Sequence, residues 1–348
     1  MKYIRVYFVA IVLAACIAFP SVSTTRLVHA QAPPPSQKDK SKKPNAEEGG
    51  QDDQVIKLGT QLVTVPFNVT DKKNKYINDL TKADIDIFED SKPQQVFSFE
   101  RQTDLPITIA MLIDISGSEQ FTLPTEVSAG KKFFRRVLRA KKDLAAVVTF
   151  EGEAELVQGL TSDASKLQRA LDDVRISVPS ASVSSVGTPP INGNSRAGST
   201  AIWDALFSVS SDLLAPEAGR RVIVLITDGE DTSSRLKMKD AIERTWRNEV
   251  IIYAIGIGGP DGVDSGVLKK VTFETGGRAF FPRNTEADLE TAFAQIDEDL
   301  RSQYILAYQP GNESKDGSFR TIQVKIKNHA DLTVRHRRGY FAPSPKGS

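Results

Sequence analysis

Four short aliphatic runs, Ile107–Ile113, Leu144–Phe150, Val222–Ile226 and Val250–Ile257, are rich in β-branched residues and barely interrupted by polar ones. Such runs suit strands buried on both faces. Between and after them lie six helical patterns: Glu126–Leu138, Ala164–Val174, Ala201–Leu214, Leu236–Trp246, Gly266–Glu274 and Glu286–Leu300. Alternation of buried strand and helix predicts an α/β fold with a doubly wound, mostly parallel sheet over residues 105–303. Ligands of such sheets bind beyond the carboxyl ends of the strands.

The flanks have a different period. Within residues 55–104, Leu62, Val63, Val65, Phe67 and Val69 mark one strand, Ile85, Ile87 and Phe88 a second, and Val96, Phe97 and Phe99 a third, separated by turn signals at Asp71–Lys75 and Asp90–Pro93. Two or three strands alone are marginal in water. Within residues 304–343, Tyr304–Tyr308, Arg320–Lys327 and Leu332–Arg335 supply partners. The N- and C-terminal strands are therefore expected to pair as a small β-sandwich into which the central region is inserted. Residues 344–348 form a short tail.

Residues 31–54 are mostly Pro, Lys, Ser, Glu, Gly and Asp, too polar to offset the entropy of ordering, and read as a tether. Ahead of it, Lys2 and Arg5 precede an apolar run from Val6 to Phe19 stopped by Pro20, the layout of a secretory signal within residues 1–30. Its ending stays open. Leu13-Ala14-Ala15-Cys16 resembles a bacterial lipobox that would lipidate Cys16, Val28-His29-Ala30 offers a peptidase site before Gln31, and an uncleaved anchor is the third case. All three place the remaining chain outside the cytoplasm, in the periplasm, at the surface or secreted, with membrane contact only through the signal or a lipid.

The 348 residues carry 45 Lys and Arg against 44 Asp and Glu, so no global field gathers nucleic acid. Cys16 is the single cysteine, which excludes an intrachain disulfide, a thiolate metal site and a cysteine nucleophile from the folded body. Only three histidines occur, His29, His329 and His336, so histidine-dependent catalysis is poorly supplied.

Three separated segments carry the candidate chemistry: Asp114-Ile115-Ser116-Gly117-Ser118, Gly198-Ser199-Thr200 and Thr227-Asp228-Gly229. Asp114 ends the first buried strand, Asp228 ends a later one, and Thr200 opens a helix, so all three segments reach one sheet edge. In extended backbone Asp114, Ser116 and Ser118 turn to one side. Carboxylate and hydroxyl oxygens are hard ligands that suit Mg²⁺ or Mn²⁺, with Ca²⁺ less favoured for want of further carboxylates. The polar run Glu230–Ser234 reads as a solvated loop, Trp203 and Trp246 as core, and Arg335, Arg337 and Arg338 as strand-edge charges. Gly256-Ile257-Gly258-Gly259 departs from a dinucleotide fingerprint, with Pro260-Asp261 where a third glycine belongs.

Asp114, Ser116, Ser118, Thr200 and Asp228 resemble the metal-ion-dependent adhesion site of the von Willebrand factor A family, Asp-x-Ser-x-Ser followed by a distant Thr and Asp. The resemblance covers about residues 105–300 and includes Ala201-Ile202-Trp203-Asp204-Ala205-Leu206 and Ile226-Thr227-Asp228-Gly229. Asp84–Pro93 and Arg337-Arg338-Gly339-Tyr340 are similar to the bacterial VWFA-related family first named for acidobacteria. The resemblance implies that Ser116, Ser118 and Thr200 bind the ion directly, that Asp114 and Asp228 bind it directly or through water, and that a partner's Asp or Glu completes the shell. It also implies a site coupled to the last helix, Glu286–Leu300.

These readings lead to a non-enzymatic, metal-dependent protein-binding module. A passive envelope scaffold with a non-essential metal site is the alternative. A phosphotransferase with an aspartate nucleophile fits less well, because Ser116 stands where its second aspartate would be.

Overall fold

The computed structural model describes residues 62–101, 104–177, 199–259 and 262–345. The expected export signal, the tether and residues 178–198, the interior of a long Ser-, Gly- and Asn-containing stretch ahead of Thr200, lie outside the described residues. Among the described residues no helix is long and apolar enough to cross a membrane.

Four strands come first: β1 (Val63–Thr70), β2 (Ile85–Glu89), β3 (Lys92–Gln94) and β4 (Val96–Arg101). The central region follows as β5 (Ile107–Asp114), α1 (Leu123–Val137), β6 (Leu144–Phe150), β7 (Ala154–Thr161), α2 (Ala164–Asp173), α3 (Ile202–Ser208), β8 (Arg220–Thr227), α4 (Met238–Arg247), β9 (Val250–Gly256), α5 (Ser265–Thr275), β10 (Ala279–Phe280) and α6 (Glu286–Arg301). The chain returns through β11 (Tyr304–Tyr308), β12 (Phe319–Ile326), β13 (Thr333–His336) and β14 (Gly339–Phe341).

The central sheet has the order β10-β9-β8-β5-β6-β7. Its strands are parallel except β7, which returns antiparallel beside β6. Alternate residues of β5 serve opposite helix layers. Ile109, Met111 and Ile113 pack with Phe133, Leu167 and Phe293 of α1, α2 and α6. Ala110 and Leu112 pack with Ile202, Leu206, Ile242 and Leu268 of α3, α4 and α5. Coverage on both faces is why these strands read as unbroken aliphatic runs. Each buried Leu, Ile or Val contributes roughly 1.5–3 kcal/mol relative to exposure.

Two local outcomes differ from the sequence expectation. β7 carries no aliphatic run because it is an edge strand, with Leu156 54% exposed. The helix expected over Ala201–Leu214 is divided into α3 and a π-helical turn, Val209–Leu214, the form that local insertions in helices take.

The terminal strands pair with one another in two antiparallel sheets, β13-β1-β11-β4 and β14-β12-β2-β3. Val65, Phe67 and Val69 of β1 meet Ile322 and Val324 of β12 in one core. Tyr304 stacks between Phe67 and Phe99, at 5.5 and 5.1 Å between ring centroids. A buried polar cluster stitches the two sheets: Glu89 on β2 accepts from the hydroxyls of Tyr308 (2.7 Å) and Tyr340 (2.9 Å) and lies 3.6 Å from the Arg320 guanidinium.

Several side chains tie the sandwich to the central region. Trp246 on α4 stacks on Phe319 at 4.5 Å and donates to the Glu274 carbonyl. Asn68 donates to the Asp299 carbonyl on α6 (2.7 Å), and the Tyr76 hydroxyl bonds the Asp299 carboxylate. Arg337 is not the edge charge expected from sequence: it is buried and donates to the Thr64 carbonyl and the Glu249 carboxylate, both at 2.9 Å.

Candidate metal centre

Parallel register carries the strand ends to one edge. Asp114 of β5 lies opposite Phe150 of β6, Ile113 opposite Ile226 of β8, and Thr227 of β8 opposite Gly256 of β9. Asp114 and Asp228 follow from this pairing as neighbours at the carboxyl edge, although 113 residues separate Asp114 from Thr227.

Asp114 is fully buried and oriented from two sides. Its carboxylate accepts from the Ser116 amide (2.9 Å) and from the Thr227 hydroxyl (2.7 Å). Ser116 and Ser118 place their hydroxyl oxygens 3.0 Å apart, but not through the extended backbone expected from sequence: Ser118 lies in the 3-10 turn Gly117–Phe121, capped by Ser116. Asp228, 6% exposed, accepts from the Glu230 amide at 2.9 Å. Gly229 has φ +90°, and a Cβ there would sit 3.1 Å from both the Asp264 carbonyl and the Leu268 side chain, so a side chain is disfavoured at this exit.

Thr200 reaches the same edge through its backbone. Its amide donates to the Thr232 hydroxyl (2.8 Å), its carbonyl accepts from the Thr232 and Ser233 amides, and the next amide, of Ala201, donates to the Glu151 carbonyl. Asp231 accepts from the Ile202 amide (2.8 Å) and the Ser234 hydroxyl from that of Trp203 (3.0 Å), which satisfies the start of α3. The Glu230–Ser234 run is thus the clamp that holds Thr200, rather than only a solvated loop.

Sequence reasoning missed two glutamates. Glu119, on the 3-10 turn Gly117–Phe121, is fully buried, and one carboxylate oxygen each of Asp114, Glu119 and Asp228 lie within 4.8 Å of one another. Glu126, in the first turn of α1, is 1% exposed with neither carboxylate oxygen hydrogen-bonded. One signal pointed to Glu126: Ala129, Gly130 and Phe133 stand three, four and seven residues on, the spacing of the buried helix face.

Burial pushes the Asp114 carboxyl up to about 6, against the hydrogen bonds from Thr227 and Ser116 and with added repulsion from Asp228. Burial likewise pushes Glu119 up to about 8, with the Asp114 and Asp228 charges adding to it and the Thr122 hydroxyl opposing. Glu126 is raised by burial and by the Glu119 charge. No ion pair among the described residues involves any of these four carboxyl groups. Buried, mutually repelling carboxylates with a free oxygen, bordered by hydroxyls, are a donor set for a hard dication.

Because burial and the Glu119 charge hold the Glu126 carboxyl toward its neutral form and neither oxygen has a well-formed hydrogen bond, Glu126→Leu is expected to stabilise the metal-free chain at pH 7.5 by about 1–2 kcal/mol, the scale of an unsatisfied buried polar group. Urea unfolding of the two chains measures it; an equal or lower stability would show that Glu126 has compensation in solution.

The von Willebrand factor type A domain family matches residues 109–230 in one description and residues 190–295 in a second. No curated protein is a significant match. Among solved structures, a von Willebrand factor type A protein from Catenulispora acidiphila is similar at 14% identity, covering 84% of this chain and 76% of that one, with a TM-score of 0.45. Proximal thread matrix protein 1 of the mussel byssus, in a form with a zinc-occupied metal-ion-dependent adhesion motif, is similar at 19% identity over 61% of this chain, with a TM-score of 0.46. The chain spans about half, 50%, of that mussel protein. An aerotolerance-related membrane protein from Bacteroides fragilis shows 17% identity over 56% of this chain and 98% of its own, with a TM-score of 0.42. The central region of this chain, from the second residue after β5 begins to the middle of α6, is a von Willebrand factor type A domain.

Proposed function

We propose that this chain is an exported, metal-dependent protein-binding module. A dication of the Mg²⁺ type, with Mn²⁺ and Ca²⁺ as alternatives, is held at the carboxyl edge by Asp114, Ser116, Ser118, Thr200 and Asp228. It captures an Asp or Glu carboxylate from a partner protein. The observation that carries this reading is the convergence of the Asp114 and Asp228 carboxylates, within 4.8 Å, beside the paired hydroxyls of Ser116 and Ser118. Hydroxyl ligands add no charge, so they leave the ion attractive to a further anion. The charged and then apolar layout of Lys2 to Phe19 supports export.

The test is binding of the full chain to a panel of peptides that differ only in one central residue, Glu, Asp, Gln or Asn. Binding of the acidic peptides only, abolished by chelator and by Asp114→Ala, is the expected result. Binding indifferent to chelator would favour a passive scaffold, and turnover of a phosphate ester would favour an enzyme.

A further inference from the structure

Glu119 stands where the five-residue motif has no ligand, yet the fold aims it at the site. The 3-10 turn Gly117–Phe121 carries it one residue after Ser118, buried, and Thr122 holds its carboxylate. The Thr122 hydroxyl bonds the Glu119 Oε2 and also the Glu119 carbonyl, at 3.0 Å. The other oxygen, Oε1, is buried and accepts no well-formed hydrogen bond, with the Asp228 amide and the buried Glu126 carboxyl as the nearest polar groups to this carboxyl. A buried carboxylate oxygen without a donor is costly, and in the metal-free chain a proton relieves that cost, a place that a bound cation would take. No guanidinium or ammonium among the described residues pairs with it. A cation shared with Asp114 and Asp228 would meet all three carboxylates at once.

The number of carboxylates bears on which cation. One oxygen each of Asp114, Glu119 and Asp228 lies within 4.8 Å of the others, close enough to share one dication, and Ca²⁺ accepts more carboxylate oxygens than Mg²⁺, which keeps several waters. A third carboxylate also removes the reason for ranking Ca²⁺ low, which was the small number of carboxylates in the motif. On the reading given under Proposed function, we infer that Glu119 is a third, in-chain carboxylate ligand to the same ion, bound from the buried side, and that it turns the site toward Ca²⁺. Three carboxylates around a dication leave a net negative site. A trans carboxylate then binds more weakly than it would to the two-carboxylate site, and the partner contributes more of the affinity through its other contacts.

Calorimetric titration of Ca²⁺ and of Mg²⁺ into the metal-stripped full chain tests this, with wild type beside Glu119→Gln. Glutamine keeps the shape and the acceptor for Thr122 while removing the charge. The expected result is a loss of Ca²⁺ affinity of at least tenfold with a smaller loss for Mg²⁺. Unchanged Ca²⁺ affinity, or an equal loss for both ions, would overturn the inference while leaving the five-residue site intact. Absence of binding by wild type would instead overturn the metal reading itself. Should the variant fail to fold, wild-type chain labelled with ¹³C at its glutamate carboxyls decides: one buried glutamate resonance shifts on Ca²⁺ saturation, and no such shift overturns the inference.

Discussion

Divalent cation at about a hundred times its Kd is expected to raise the melting temperature of the metal-stripped chain by roughly 5–10 °C near pH 7.5. A ligand at that excess stabilises the native state by ~2.7 kcal/mol, and a domain of this size shifts by about 2–4 °C per kcal/mol. The gain should disappear in Asp114→Asn, which keeps an acceptor for the Ser116 amide but turns an amide nitrogen toward the site or Thr227. The sign with pH follows from the raised carboxyls. Asp114 at about 6 and Glu119 at about 8 bind protons in the folded chain that the unfolded chain has released. The metal-free chain therefore loses stability as pH rises from the ordinary carboxylate range through those values. Cation removes that loss, so its benefit should grow over the same window. Scanning calorimetry with chelator and with added Ca²⁺ or Mg²⁺ reads both effects; a melting temperature indifferent to cation at every pH would contradict them.

Acid should act oppositely through His336. It is 8% exposed, and its ring accepts from the Val324 amide through Nε2 (3.2 Å) while Nδ1 lies 2.7 Å from the Arg337 carbonyl. Those partners require the neutral ring with its proton on Nδ1, because a proton on Nε2 would face the Val324 N–H. Burial, with the Arg338 and Arg337 charges, pushes the imidazole down to about 4. Its folded value lies below the unfolded one near 6.5, so the unfolded chain takes up the proton first. The stability from neutral His336 is complete above pH ~6.5 and is lost as pH falls toward 4, by about 3 kcal/mol at 1.36 kcal/mol per unit. The carboxyls at the candidate site change in the other direction over part of this range, so wild type must be compared with His336→Gln under saturating cation. The difference between their urea stabilities should shrink by about that amount from pH 7 to pH 4. A constant difference would place the protonated ring in a solvated setting.

Legibility of this chain follows from how each segment is buried. β5, β6, β8 and β9 were readable because two helix layers cover them and leave no polar face. β1 and β12 were readable for the opposite reason, since one face meets the core and the other water, giving the alternation Ile322, Val324, Ile326. β7, with Gly159 and an exposed Leu156, and the two-residue β10 lack either pattern. The five motif residues could be named because they sit at strand ends and a helix start, where the topology assigns an edge. Glu119 and Glu126 were passed over because a glutamate near a helix start reads as favourable surface charge at the positive end of the dipole. Only three-dimensional packing shows that their side of the turn faces inward. Arg337 was misread for a related reason: strand-edge charge is the usual explanation of a basic cluster, and its partners Thr64 and Glu249 are distant in sequence.

The central claim, an ion held at the sheet edge with a position open to a carboxylate, is tested most directly by water-proton relaxation of Mn²⁺ bound to the full chain. Relaxation enhancement should appear on binding, since bound Mn²⁺ keeps exchangeable water. It should fall when a glutamate-bearing peptide is added, remain unchanged with the glutamine peptide, and be absent in Asp228→Ala. An enhancement that the acidic peptide leaves untouched, or one undiminished in Asp228→Ala, would contradict the account.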